Sequence, residues 1–113
     1  MSDTCIFCKI ASKQIPVEAL YEDANFIAFR DMNPQAPIHI LIIPKVHIET
    51  IMELDSEALM MGAFRAVQAT AQLLNLTEEG FRTVVNCREN GGQTVYHLHF
   101  HLLGGRFMQW PPG

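Results

Sequence analysis

The chain has 113 residues, of which 49% are hydrophobic and 18% charged, and its formal net charge is -4. That length suits a single domain, residues 1–113, able to bury about two-thirds of its unfolded surface without disulfide help. The acidic balance speaks against a nucleic-acid backbone or an anionic membrane as partner, and the longest apolar run, Ile40-Leu41-Ile42-Ile43, is far too short to span a bilayer.

Taken in order, Met1-Ser2-Asp3-Thr4 has no basic start and the apolar residues after it are interrupted by Lys9, so no signal peptide is read. Three cysteines make an odd count, which fits a reduced, cytoplasmic setting. Ile6 to Ala11 predicts one or two helical turns, closed off before Pro16. Leu20-Tyr21-Glu22 and Phe26 to Arg30 read as strands joined by a hairpin turn at Asp23-Ala24-Asn25. Asp31 to Pro37 is a loop by its two prolines. The β-branched run Ile38 to Ile43 predicts a buried central strand stopped by Pro44.

Asp55 or Ser56 can cap a helix, and Glu57 suits its positive end. Leu59, Ala63, Ala66, Val67, Thr70 and Leu74 then recur at three- and four-residue spacing, which predicts a long amphipathic helix over residues 56–75. A strand from Phe81 to Cys87, a polar loop from Arg88 to Gln93 and a last strand from His97 to Leu103 complete the chain. About five strands with hairpin-length links, one long helix and one short one predict an antiparallel α+β domain.

The last strand carries the chemistry. In His97-Leu98-His99-Phe100-His101-Leu102 three histidines alternate with apolar residues. Strand alternation puts the imidazoles on one face, roughly 6.5–7 Å apart, and the apolar side chains on the other. A core does not need three aligned imidazoles. They can hold a catalytic metal, or one can act as nucleophile or base while the others support it. Cys5-Ile6-Phe7-Cys8 lets two thiolates reach one ion. With no second pair of this kind, a metal site must be of mixed Cys2His2 type, completed from His39, His47 and His97. Asn86 and the run Gly91-Gly92-Gln93-Thr94, just ahead of the histidines, can present backbone N–H groups to a phosphate. Asp31 follows a strand and can bind hydroxyls. Trp110 is a packing residue or a subunit contact.

The row His97 to Leu103 matches the H-φ-H-φ-H-φ-φ signature of the histidine triad (HIT) superfamily. Asp31-Met32-Asn33-Pro34-Gln35-Ala36-Pro37-Ile38-His39, Ile42 to Lys45 with His47, Val85-Asn86, Gly91 to His97 and the ending Gly104 to Gly113 resemble its nucleotide-binding (Hint) branch. The resemblance implies a five-stranded antiparallel sheet with one long and one short helix, and a homodimer whose sheets join across the interface. It implies hydrolysis of purine nucleoside phosphoramidates, with His99 attacking the α-phosphorus. His101 would bond a phosphate oxygen, and His97 and His39 would support the nucleophile. Asn86, Gly92, Gln93 and Thr94 would hold the phosphate and leaving group, and Asp31 the ribose. Phe7, Phe29 and Met32 would surround the base, and Trp110 would approach the partner's site. Catalysis would need no cofactor, but related bacterial proteins with such a cysteine pair imply a structural zinc on Cys5, Cys8, His47 and His97. Two other classes stay open: a zinc metallohydrolase using the histidine row, and a non-catalytic purine nucleotide-binding protein. A dinucleoside polyphosphate hydrolase is a near variant.

Overall fold

Strand alternation here builds a sheet with both faces buried. A computed structural model of the chain describes residues 4–113; Met1-Ser2-Asp3, on which the leader reading leaned, lie outside them. Strands β1 (Tyr21–Glu22), β2 (Phe26–Arg30), β3 (Ile38–Pro44), β4 (Arg82–Val84) and β5 (Phe100–Gly104) form one sheet in the order β1-β2-β3-β5-β4. Every neighbouring pair is antiparallel. The predicted hairpin turn is held by Asp23, whose Oδ1 accepts from the N–H groups of Asn25 and Phe26 at 2.8 and 2.7 Å.

Helices α1 (Ile6–Ala11) and α2 (Glu57–Leu73) accompany the sheet. Ser56 caps α2, its hydroxyl accepting from the Leu59 N–H at 3.2 Å. Ala63, Ala66 and Ala71 are small and buried, so α2 can lie close to Phe26, Ala28, Ile40, Ile42, Phe100 and Leu102. The odd-numbered partners on the same strands, Ile27, Phe29, Leu41 and Ile43, form a second, smaller core with Phe7 and Ile10 of α1. The face that carries the histidines is therefore itself packed: His97 and His99 are buried like Leu98 and Phe100.

Three predicted elements differ. The last strand starts at Phe100, not His97. The β3–β5 register pairs Ile42 with Phe100, which would set Leu98 against Pro44, and proline has no N–H to continue the ladder. Leu98 instead donates to the Ile48 carbonyl at 2.6 Å. The strand predicted over Phe81 to Cys87 shortens to β4, an edge strand paired with β5 alone. The polar loop after it winds into a turn, α3 (Arg88–Gly91), closed by Gly92 at φ +76°, a left-handed conformation that glycine adopts without strain.

Candidate active site

The histidine row runs out of the α3–β5 loop into β5, beside β3 and beneath α1. Phe7 stands over it, edge-on to the rings of His97 and His99 with centroids 5.8 and 5.2 Å away. The rings of His99 and His101 are 5.1 Å apart.

Hydrogen bonds make the three imidazoles chemically different. His97 Nε2 lies 2.8 Å from the Pro44 carbonyl. A carbonyl only accepts, so this nitrogen carries the proton and Nδ1 has a bare lone pair. His99 Nδ1 lies 2.8 Å from the His97 carbonyl, so Nδ1 carries its proton and Nε2 is the bare nitrogen. The Gln35 N–H donates to His39 Nδ1 at 3.0 Å. Neutral His39 must then be protonated on Nε2, which lies 2.9 Å from His101 Nδ1. That assigns the proton of neutral His101 to Nε2. Asp31 Oδ2 sits 3.5 Å from His39 Nε2, so a carboxylate backs this pair. His39 thus reaches His101 and not the central histidine.

Among the described residues, two groups of side chains are close enough to share a metal ion: Cys5, Cys8, His47 and His97, and Asp31, His39 and His101. The same bonds separate them. In the first, bare His97 Nδ1 faces Cys5 Sγ at 3.3 Å and Cys8 Sγ at 3.5 Å, and His47 Nδ1 is 3.2 Å from Cys8 Sγ. Sulfur–nitrogen edges of a tetrahedral zinc site are about 3.5 Å, and two thiolates with two imidazoles are a donor set zinc prefers. In the second, a metal on His39 Nε2 would force the proton onto Nδ1, against the Gln35 N–H donor. That group is a hydrogen-bonded relay. The row as a whole does not offer three nitrogens to one ion.

The other predicted residues are spread around this centre. Phe29 is buried against Phe7 at 6.0 Å, while Met32 is 97% exposed. Asp31 Oδ1 accepts from the Asn33 N–H at 2.7 Å. Asn86 Nδ2 donates to the Gly91 carbonyl at 2.7 Å and so braces the turn that precedes the row. Gln93 is buried and spent on the backbone: Oε1 accepts from the Arg88 N–H, and Nε2 donates to the carbonyls of Glu49 and Val95. Thr94 lines a cavity of about 450 Å³ together with Cys5, His47 and Tyr96. Trp110 is exposed and stands on the β4 side, where the Arg82 guanidinium lies 6.0 Å from its ring. The tautomer-setting groups, the carbonyls of Pro44 and His97 and the N–H of Gln35, belong to the backbone and leave no mark in the sequence. The Asp31–His39 contact also escaped it.

Burial, followed by the neighbouring His99 and His39, pushes His101 from 6.5 down to about 4. Burial also lowers His39, against the opposing pull of Asp31. Below about pH 6.5 the unfolded chain takes up protons that the folded chain resists, so the stability present above 6.5 is lost progressively toward pH 4. The melting temperature is expected to fall between pH 7 and pH 5, and to fall less in His101→Asn. An equal fall in the variant would contradict this assignment.

A model of the HIT domain matches residues 12–108. The chain is 52% identical to an uncharacterized HIT-like protein of Synechococcus elongatus, over 100% of both chains. It is 47% identical to a 14 kDa zinc-binding protein of Brassica juncea, over 96% of this chain and 98% of that one. The crystal structure of a HIT family hydrolase from Legionella pneumophila superposes with a TM-score of 0.93 at 50% identity, covering 97% of this chain and all of that one. With the domain spanning most of its length and such relatives on either side, this chain belongs to the HIT family.

Proposed function

We propose that the chain hydrolyses nucleoside 5'-phosphoramidates, purine nucleosides above all, through a covalent nucleotidyl intermediate on His99. The observation that carries this is the 2.8 Å bond from His99 Nδ1–H to the His97 carbonyl, which leaves Nε2 unprotonated with His101 beside it. Similarity to the Legionella hydrolase supports a hydrolase, and the resemblance to the Hint branch supports the nucleotide.

In the first step Nε2 bonds to the α-phosphorus as the P–N bond breaks, and the amine leaves with the electron pair and takes up a proton from solvent. In the second, water adds to the same phosphorus and gives up a proton to solvent as the P–Nε2 bond breaks, its electron pair returning to Nε2, which releases the nucleoside monophosphate and restores neutral His99. Both steps depend on positioning and charge stabilisation. His101 Nε2–H is the donor for a phosphoryl oxygen. A bound phosphate anion raises its pKa, so the Asp31–His39–His101 relay holds a proton where charge develops. Asp31 holds the ribose hydroxyls, exposed Met32 reaches the base with the buried Phe29 and Phe7 behind it, and Asn86, Gly92 and Thr94 border the phosphate. Gln93 serves by keeping that loop in shape.

Cys5, Cys8, His47 and His97 would hold a structural zinc, a reading supported by the name of the Brassica relative. Zinc there supplies a closed, four-ligand anchor. Replacing His99 by Ala is expected to lower kcat on adenosine 5'-phosphoramidate by at least about 10³-fold. AMP binding should stay within a few-fold of wild type. An active variant would refute the mechanism.

The functional unit is read as a homodimer. The outer edge of β4 has no strand partner among the described residues. Beside it lies an apolar cavity of about 400 Å³ lined by Ile51, Met60, Phe64 and Val85, with Phe64 64% exposed. A second copy pairing along β4 covers this surface and brings in Trp110 from the partner. Sedimentation at micromolar concentration is expected to give twice 12.8 kDa, and Phe64→Asp to shift it to monomers. A monomeric wild type would overturn the dimer.

A further inference from the structure

The cysteine pair and the catalytic row are tied together by one side chain that the proposed chemistry leaves idle. Phe7 lies between Cys5 and Cys8 in α1. It is 7% exposed, and its ring meets Phe29, His97 and His99 edge-on at 6.0, 5.8 and 5.2 Å. Edge-to-face contacts of this kind fix ring orientation as well as burying area. A nucleobase could reach little of a ring so enclosed.

The helix that carries Phe7 has six residues, too few to persist on its own. Its first turn contains no acidic residue, and its cap is the Cys5 sulfur, which accepts from the Cys8 N–H at 3.3 Å. What holds α1 in place is therefore tertiary: Phe7 and Ile10 in the smaller core, and the two thiols against His47 and His97. The thiol–imidazole cluster reaches His99 by two routes. One runs through the main chain of His97, whose ring belongs to the cluster and whose carbonyl takes the His99 proton. The other runs through Phe7. The cluster also borders the cavity of about 450 Å³ beside Thr94, which gives an ion or a chelator a way in.

We propose that Phe7 is a positioning residue for His99, and that zinc bound by Cys5, Cys8, His47 and His97 sets the geometry of the nucleophile by pinning α1 and with it the Phe7 ring. The inference rests on the reading of His99 as nucleophile, but its structural half can be tested without turnover. Zinc is removed from the full-length protein by chelation and restored while the His99 ring protons are followed by NMR. The signals are expected to shift on removal, return on reloading, and respond less in Phe7→Ala and Phe7→Leu, where only the route through the His97 main chain is left. A protein that takes up no zinc, or His99 signals indifferent to it, overturns the proposal.

Kinetics supply the second arm. Phe7→Ala should lower kcat tenfold or more, with KM within about twofold, because misplacing a nucleophile costs rate rather than binding. Phe7→Leu, which keeps most of the volume, should recover part of the loss. In a Cys5→Ser/Cys8→Ser background, where the cluster that feeds both routes is already lost, Phe7→Ala should add little. A rise in KM at constant kcat would instead make Phe7 a wall of the nucleotide pocket and sink the positioning role. Should Phe7→Ala not fold, Phe7→Leu alone decides. Activity surviving in His99→Ala defeats the nucleophile reading but leaves the zinc-dependent NMR response standing.

Discussion

The site depends on two backbone carbonyls. Pro44 and His97 each accept from an imidazole at 2.8 Å, and because a carbonyl cannot donate, each fixes which ring nitrogen holds the proton. His97 is left with a bare Nδ1 toward the thiols and His99 with a bare Nε2. The Gln35 N–H does the converse for His39, so that His39 passes a hydrogen bond to His101. Three identical side chains in one row acquire three hydrogen-bonding states, which suit them to the proposed roles of metal ligand, nucleophile and phosphate donor.

The fold supplies these carbonyls through one interruption. Pro44 ends β3 and withholds an N–H from the ladder. The chain opposite cannot pair as strand at Leu98, and the Pro44 carbonyl is taken by the His97 side chain instead of a strand neighbour. The gap that shortens β5 is what lets His97 turn its ring between β3 and α1. Packing on both faces of the sheet buries His97 and His99 and half-buries His101, which strengthens these bonds and depresses the basicity of His97 and His101, each pushed to about 4.

Much of the architecture was legible in the sequence because it rests on periodicity. The three-four spacing from Leu59 onward found α2, and the runs at Phe26 and Ile38 found the central strands. The alternation in His97 to Leu102 placed the apolar residues on the α2 side even where regular pairing stops. The smaller core was not legible: it depends on α1 folding back over Leu41 and Ile43, and a six-residue helix carries too few positions to announce a face. The turn at Arg88–Gly91 was hidden by its polarity, although Gly92 is a helix-ending signal. Within the site, residue types pointed to the histidines and cysteines that the fold brings together, yet His39 meets His101 rather than His99. That partnership is set by register, His39 facing Leu103 across the β3–β5 ladder, and no motif encodes it.

The central claim is the assignment of protons by backbone partners, and long-range ¹H–¹⁵N correlation NMR of the imidazoles at neutral pH tests it most directly. The expected spectrum has His99 protonated on Nδ1 with a bare Nε2, and His97, His101 and His39 protonated on Nε2. A His99 ring carrying its proton on Nε2 would contradict the account, because the nitrogen assigned to attack phosphorus would have no lone pair to give.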